Sequence, residues 1–201
     1  MLKLYYGAQT RSTRPRAVLE ELGVPYELIR LDLSKGEHKT PEYLKIHPLG
    51  KVPALQDGDA IFLESVAICM YLADKFPEKK LAPALDSPAR GHYYQWLLYA
   101  ASTLEPLIGT VFVNTIRQPE NKDLPATKDA QQGFATCAAM LEAALQEGPF
   151  LLGEQFSVAD IIMGSMLAWA RAIKLVEAHP NITAYLSRVT SRPSFQAARK
   201  D

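Results

Sequence analysis

The sequence is poor in cysteine and has no excess of charge of either sign. Its two cysteines, Cys69 and Cys137, are too few for a disulfide framework or a cysteine-rich metal cluster, and they fit a reducing compartment. Lysine plus arginine and aspartate plus glutamate each number 22, so the formal net charge is zero. That balance predicts no general affinity for nucleic acid or for an anionic membrane surface. We therefore expect neither a metal cofactor nor a nucleic-acid partner.

Long apolar runs are also lacking. The N-terminal segment MLKLYYGAQTRS has no apolar signal core, and no stretch approaches the roughly 18 consecutive apolar residues of a membrane span. This absence predicts a cytoplasmic protein with no membrane partner. The 201 residues are enough for one large domain, or for two small ones, with a real hydrophobic core.

The pattern over residues 1–77 predicts a small α/β domain. Apolar runs at 2–6 and 26–31 predict strands, and between them lies a helix with a proline in its first turn and a glycine at its end. Strand, helix and strand in this order predict a parallel crossover. The dipeptide Asp57-Gly58 then predicts a hairpin, and helical spacing of apolar residues predicts a helix over 65–76.

The rest of the chain shows no strand pattern. Residues 78–88 are a linker by composition, and residues 89–201 are expected to form an all-α domain. Its first long helix contains Pro106, where we expect a kink. Further along, Ser157 and Asp160 are spaced as a capping box at the start of another helix.

The stretch from His47 to Ser65 is the centre of the candidate site. Val52 precedes Pro53, and a cis bond there would turn the Val52 N–H and C=O outward, where an extended peptide could pair with them. Eleven residues after the proline, Glu64 and Ser65 open a helix. Backbone N–H groups at a helix start favour an anion, so a ligand carboxylate fits Ser65 and a ligand ammonium fits Glu64. The alternative is a tight turn followed by a capped helix.

Two hydroxyl residues near the first helix are candidates for holding a bound thiolate. Ser12 lies at the entrance of that helix, where its hydroxyl and the helix dipole would lower the pKa of a thiol. Tyr6 is its competitor, and a backbone N–H is a third way to stabilise the thiolate. The structural alternative for Ser12 is that it only caps the helix.

Three basic residues in two loops are candidates for binding a carboxylate. His38 and Lys39 are adjacent in GEHK, and Lys51 lies beside the Val-Pro pair. Lysine acts as a point charge and histidine as a hydrogen-bond donor to such a group. On their own, these residues fit a solvated charged loop equally well.

Three motifs together resemble one known family. The run GEHKTPEYLKIHPLGKVPALQDGDAIFLESVAICMYLA is similar to the N-terminal half of phi-type and related bacterial enzymes, and RSTRPRAVLEELGVPYE resembles a serine-type first helix. FSVADI is similar to the N-capping box of helix 6 in the same family. Over its whole length the chain resembles the cytosolic glutathione S-transferases. The resemblance implies a thioredoxin-like N-terminal domain joined to an all-helical C-terminal domain.

The resemblance also implies a role for each candidate residue. Ser12 matches the serine that activates the glutathione thiol, while Tyr6 lies near the tyrosine that other types use. Arg11 occupies about the place of the cysteine of beta-type enzymes, so mixed-disulfide chemistry is not expected. The implied glutathione contacts are Val52 and cis-Pro53 for the cysteinyl part, Glu64 and Ser65 for the γ-glutamyl part, and His38, Lys39 and Lys51 for the glycine carboxylate.

The implied function is that of a glutathione transferase. It would bind glutathione as co-substrate, activate its thiol as a thiolate and add it to small hydrophobic electrophiles, as a cytoplasmic homodimer active in detoxification. The electrophile is expected between the domains, against Arg11, Ser102, Glu105, Pro106 and Gly109. Alternatives on the same fold are a glutathione-dependent peroxidase, disulfide reductase, isomerase or dehalogenase, and a non-enzymatic glutathione-binding or assembly module.

Overall fold

The computed structural model describes residues 1–200, and the first part of the chain forms a four-stranded mixed sheet. Its strands are β1 (Leu2–Tyr6), β2 (Tyr26–Arg30), β3 (Ala54–Asp57) and β4 (Ala60–Phe62), in the spatial order β2-β1-β3-β4. β1 runs parallel to β2, and β3 runs antiparallel to both β1 and β4. The sheet and its helices confirm the expected α/β class for this part of the chain.

Helices follow one another along the described chain in the expected order. They are α1 (Thr13–Leu22), α2 (Pro41–Leu44), α3 (Ser65–Lys75), α4 (Ala89–Leu98), α5 (Glu105–Phe112), α6 (Pro125–Ala144), α7 (Val158–Ala172), α8 (Pro180–Thr190) and α9 (Pro193–Ala197). In residues 83–200, extended pairing is limited to two isolated bridges in residues 150–155. This part is helical, as the absence of strand patterns predicts.

Local sequence chemistry explains the crossover and the hairpin. Gly23 ends α1 in the left-handed conformation, with φ of 65°, and its N–H donates to the Leu19 carbonyl oxygen. Gly58 has φ of 61° between β3 and β4. Phe62 of β4 stacks on Tyr71 of α3, with ring centroids 4.0 Å apart. The hairpin and α3 are thereby joined by an aromatic contact.

The chain divides into two compact units. The first unit comprises Met1–Ala82 together with the tail that begins at Ser191, and the second comprises Pro83–Thr190. The change of unit at Pro83 lies within the linker expected at 78–88. Each unit has its own buried apolar core, which includes Leu4 and Leu55 in the first and Ile162 and Leu186 in the second.

The tail differs from the expected all-α domain of residues 89–201, because it packs on the first unit. Helix α9 lies against α1. There the Glu21 carboxylate accepts hydrogen bonds from Arg192 and from the Ser194 hydroxyl. The sequence pattern of a short helical tail does not show which core the tail covers. Composition alone therefore grouped this tail with the helices that precede it in the chain.

Residues Ala89–Arg117 form one continuous helix rather than a broken one. Two π-helical turns interrupt its α-helical hydrogen bonding, at Tyr99–Leu104 and Val113–Arg117. The first of them lies directly before the turn that contains Pro106. Proline has no N–H to donate, and a wider turn is a common way for a helix to accommodate such a residue. The kink expected at Pro106 stays a prediction, and the structure shows a π-helical turn before it.

This helix is long and apolar enough to cross a membrane, judged by length and composition alone. The result supports a membrane span only weakly, because core helices of soluble proteins pass the same test. In the structure α4 packs on α7, and α5 packs on α6 and α7. The segment contains no long continuous apolar run, because Ser102, Thr103, Glu105 and Pro106 interrupt it.

Helix α7 begins at a buried carboxylate. Asp160 is fully buried and accepts hydrogen bonds from the Ser157 N–H at 2.8 Å, the Leu151 N–H at 2.9 Å and the Tyr185 hydroxyl at 3.0 Å. Burial raises the pKa of Asp160, and these hydrogen bonds act in the opposite direction. The expected capping box is confirmed. Its carboxylate also connects the preceding loop and helix α8 to the start of α7.

Candidate active site

The loop between α2 and β3 presents an unpaired stretch of backbone. The Val52-Pro53 peptide bond is cis, as the family resemblance implies, and Pro53 is buried while Val52 is half-exposed. Among residues 1–200, no main-chain hydrogen bond involves the N–H or C=O of Val52. Tyr43 holds the loop from behind, since its hydroxyl donates to the Lys51 carbonyl oxygen at 2.6 Å. A peptide in extended conformation can pair with the Val52 backbone.

The β1–α1 loop, residues 7–12, lies beside Val52. A Cβ built on Gly7 would lie 3.2 Å from Val52 Cγ2 and 3.0 Å from Leu33 Cδ1. A side chain at position 7 would therefore push against both neighbours. Glycine permits the close approach, and this brings the loop with the candidate thiol-binding hydroxyl next to the candidate peptide-binding edge.

The Ser12 hydroxyl is fully buried within this loop. It accepts a hydrogen bond from the Gly7 N–H at 3.0 Å and donates to the Gly7 carbonyl oxygen at 2.7 Å. Its Oγ also lies 2.6 Å from Thr10 Oγ1, and it makes no side-chain capping bond to α1. In this position Ser12 holds the loop together, and Thr10, which is half-buried, is the hydroxyl residue nearer to solvent.

The Tyr6 hydroxyl is directed toward the C-terminal tail. The side chain is 1% exposed, and its hydroxyl donates to the Ala198 carbonyl oxygen at 3.2 Å. The Arg16 guanidinium lies 4.9 Å from the Tyr6 ring centroid and covers its face. These contacts commit Tyr6 to packing within the first unit.

The start of α3 has the features expected of an anion site. The Glu64 backbone has φ of 66°, a conformation that non-glycine residues rarely adopt and that functional sites retain at some cost. Glu64 is exposed, whereas Ser65 is 6% exposed. The first main-chain N–H that bonds back into the helix is that of Ile68, which donates to the Glu64 carbonyl oxygen at 2.9 Å. The N–H groups before it are therefore directed at the helix entrance.

The basic residues of the two loops come together around Gly50. This glycine has φ of 53°, and a Cβ built on it would lie 2.5 Å from the His38 carbonyl oxygen and 2.9 Å from Lys39 Nζ. Lys39 Nζ also donates to the Leu49 carbonyl oxygen at 3.0 Å. Lys51 follows directly and is exposed. The structure thus brings His38, Lys39 and Lys51 to one place.

His47 is a residue of this region to which the sequence reasoning gave no role. Its side chain is 5% exposed, and Nδ1 has no hydrogen-bond partner among residues 1–200. Burial lowers the pKa of His47, the Glu64 carboxylate raises it, and Lys51 and Lys39 lower it. One histidine therefore interacts with both the α3 entrance and the basic loops. The signal available in the sequence was its place at the start of HPLGKVP.

The residues expected to line an electrophile pocket divide between the two units. Arg11 is an exposed residue of the first unit. Ser102 and Pro106 are exposed on the long helix of the second unit, where the Ser102 hydroxyl donates to the Leu98 carbonyl oxygen at 2.6 Å. Glu105 and Gly109 of the same helix are half-buried, and a Cβ on Gly109 would lie 3.7 Å from the Trp169 ring.

The first unit thus combines three kinds of group that suit one small peptide. The Val52 backbone can pair with the middle of the peptide, the α3 entrance can bind a carboxylate at one end, and the basic residues around Gly50 can bind a carboxylate at the other end. Across residues 1–200, no cluster of three or more His, Cys, Asp or Glu side chains is arranged to hold a metal ion.

Known proteins share both halves of this chain. The family model of the glutathione S-transferase N-terminal domain matches residues 1–74, and that of the glutathione S-transferase C-terminal domain matches residues 123–188. A zeta-class glutathione S-transferase of Euphorbia esula is 36% identical over 166 residues, which cover 81% of this chain and 72% of that protein. Glutathione S-transferase GstA of Escherichia coli O157:H7 is 30% identical over 200 residues, which cover 98% of this chain and 96% of that protein.

The fold agrees with these matches. The glutathione transferase URE2P6 from Phanerochaete chrysosporium, solved in complex with oxidized glutathione, superposes with a TM-score of 0.85 at 29% identity. The superposition covers 98% of this chain and 94% of that one. A thioredoxin-like unit followed by a helical unit is therefore shared over nearly the full length. The chain belongs to the glutathione S-transferase family, and it is a glutathione transferase that takes glutathione as its co-substrate.

Proposed function

We propose that this enzyme binds glutathione along the surface from Gly50 to Ser65 and adds its thiolate to small hydrophobic electrophiles. The observation that carries the proposal is the unpaired Val52 backbone next to the β1–α1 loop. A peptide paired with Val52 places its central residue, which in glutathione is cysteine, beside that loop. A cytoplasmic homodimer active in detoxification, which is typical of the family, is part of the same proposal.

The two ends of glutathione have different partners in this proposal. The γ-glutamyl carboxylate binds the Ser65 hydroxyl and the N–H groups at the α3 entrance, and Glu64 holds the γ-glutamyl ammonium. The glycine carboxylate binds among His38, Lys39 and Lys51. Because each end meets groups of opposite charge, the tripeptide has one favourable orientation along Val52.

The thiolate is stabilised by the β1–α1 loop, with Thr10 as the donor. Thr10 and Ser12 each have one hydroxyl proton, and both hydroxyls lie 2.7 Å from the Gly7 carbonyl oxygen. The buried Ser12 hydroxyl can donate only within the loop, to the Gly7 carbonyl oxygen or to Thr10 Oγ1, whereas the half-buried Thr10 hydroxyl can rotate and donate to a thiolate. Ser12 then acts by positioning Thr10 and Gly7.

The experiment that tests this function is a titration of the bound thiol by ultraviolet difference absorbance. The wild-type protein should hold glutathione with a thiol pKa below that of free glutathione. Thr10→Val should raise this pKa, and each unit corresponds to about 1.4 kcal/mol of lost stabilisation of the thiolate. Thr10→Ser keeps the hydroxyl and serves as the matched control.

Each result of the titration has a definite meaning. An unshifted pKa in the wild type would contradict the transferase mechanism and favour a non-enzymatic glutathione-binding module. A lowered wild-type pKa that persists in Thr10→Val but is lost in Ser12→Ala would move the donor role to Ser12. A lowered thiol pKa that persists in both variants would assign the donor role to a backbone N–H of the loop.

A further inference from the structure

A buried arginine of α1 reaches the entrance of α3. Arg14 is 2% exposed, and its Nη1 donates to Ser65 Oγ at 3.1 Å. The two helices pack directly on each other. The contact joins residues 51 positions apart in the chain, and Arg14 is the second residue of the helix that follows the β1–α1 loop.

This hydrogen bond determines the direction of the Ser65 hydroxyl proton. A guanidinium can only donate, so Ser65 Oγ must accept from Arg14 with one of its lone pairs. Its own proton is then free to point away from Arg14 and donate to another group. Without Arg14, the same hydroxyl could turn inward and present a lone pair to a ligand carboxylate, which would repel it.

The charge of Arg14 acts in the same direction. A guanidinium stays protonated at any pH that the fold tolerates, and in a buried place its field is screened less than that of an exposed lysine. It lies behind the N-terminus of α3, where the helix dipole already favours an anion. The charge therefore adds to the attraction for a carboxylate in front of Ser65.

We propose that Arg14 is a positioning residue for the γ-glutamyl carboxylate, which acts through Ser65 and does not touch glutathione. This inference rests on the proposed function, because it needs Ser65 to bind that carboxylate. It adds a residue from outside the Gly50–Ser65 surface. It also makes the preference for a ligand with an α-carboxylate at the γ-glutamyl end depend on a side chain of α1.

The test compares two ligands by isothermal titration calorimetry. One is glutathione, and the other is 4-aminobutyryl-cysteinylglycine, which keeps the tripeptide length but lacks the γ-glutamyl α-carboxylate. In the wild type, glutathione should bind more tightly. Arg14→Lys should weaken glutathione binding about tenfold, as expected for one charge-assisted hydrogen bond, while the affinity for the analogue changes less than about twofold.

Two further variants separate positioning from folding. Arg16→Lys is the matched control, because Arg16 is a buried arginine of the same helix whose Nη1 donates to the Lys200 carbonyl oxygen. It should leave the ratio of the two affinities unchanged even if it lowers the melting temperature. In a Ser65→Ala background, Arg14→Lys should cause no further loss of glutathione affinity. If Arg14→Lys does not fold, Arg14→Gln takes its place in the comparison of the two ligands only, because Gln also removes the positive charge and would weaken carboxylate binding in the Ser65→Ala background as well.

The outcomes distinguish this inference from the proposed function. Equal weakening of both ligands by Arg14→Lys, or full additivity with Ser65→Ala, would overturn the positioning role and leave Arg14 as a packing residue. Equal wild-type affinities for the two ligands would overturn it as well, although glutathione binding would stand. Absence of glutathione binding in the wild type would overturn the proposed function itself.

Discussion

At Ser12 and Tyr6 the chain carries hydroxyl groups about where the family resemblance implies a thiol partner, and the structure buries both. Ser12 bonds to Gly7 and Thr10, and Tyr6 bonds to the carbonyl oxygen of Ala198. Thr10 is less buried than either of them. At the scale of single residues, a suitable functional group in the right stretch of chain is therefore not enough, because its accessibility decides whether it meets a ligand.

The buried His47 gives stability a pH dependence at this same scale. Its pKa lies below the ordinary value of 6.5, mainly because of burial, whereas in the unfolded chain it returns to about that value. As pH falls below 6.5, the unfolded state takes up the proton first, so the free energy of unfolding decreases. His47→Gln should remove the contribution of His47 to the loss of unfolding free energy in acid.

The measurement is denaturant unfolding of wild type and His47→Gln between about pH 7.5 and pH 5. As pH falls through 6.5, the unfolding free energy of the wild type should decrease more than that of His47→Gln. His92→Gln is the control, since His92 is exposed on α4. Parallel curves for wild type and His47→Gln would show that His47 titrates alike in both states.

At the scale of elements, two helix starts serve opposite purposes. The start of α7 is closed, because Asp160 and Ser157 bond to each other and to the surrounding chain. The start of α3 is open, because its N-cap residue Glu64 makes no side-chain capping bond and Ser65 accepts from Arg14. A closed start stabilises the fold, and an open one leaves N–H groups for a ligand.

The closed start of α7 predicts a large effect of a small change. In Asp160→Asn, an NH₂ group replaces one of the two acceptor oxygens. Depending on the orientation of the amide, this NH₂ group faces the Ser157 N–H, or it faces both the Leu151 N–H and the Tyr185 hydroxyl. The unfolding free energy should fall by about 2–4 kcal/mol, because buried donors lose their acceptor. Chemical denaturation measures it, and Asp129→Asn, on the exposed face of α6, should change it little. Equal stability of Asp160→Asn and wild type would refute the role of this carboxylate.

At the scale of the whole molecule, the chain returns to its first unit after completing the second. Helix α9 lies on α1, and the Tyr6 hydroxyl and the Arg16 guanidinium donate to carbonyl oxygens of residues 198 and 200. The tail is thus part of the packing around β1 and α1. Its stability contribution belongs to the first unit.

The Glu21 carboxylate provides a test of this return. It accepts hydrogen bonds from Arg192 and Ser194 where the tail reaches α1. Glu21→Gln should lower the unfolding free energy by about 1–2 kcal/mol, because a charge-assisted contact becomes a neutral one. Hydrogen exchange should rise in residues 191–200 more than in α7. Glu78→Gln, at an exposed position of the first unit, is the control, and unchanged exchange in the tail would contradict the prediction.

Local patterns in the sequence determined the parallel crossover, the hairpin at Asp57-Gly58 and the capping box at Ser157. These features depend on neighbours within a few residues, so periodicity, turn residues and caps suffice to predict them. The candidate glutathione residues around Gly50 and Ser65 could also be proposed from the sequence, since they lie within one continuous stretch.

Tertiary structure alone decided the features that join distant parts of the chain. The sequence could not show that Ser12 is buried, that Arg14 reaches Ser65 or that the tail covers α1, because each depends on packing between elements far apart along the chain. A serine or threonine is written in the same way in the sequence whether its hydroxyl is buried or exposed. Burial and hydrogen-bond geometry follow from how the elements pack, and here they separate accessible groups, such as those of Thr10 and Glu64, from buried ones, such as those of Ser12 and Arg14.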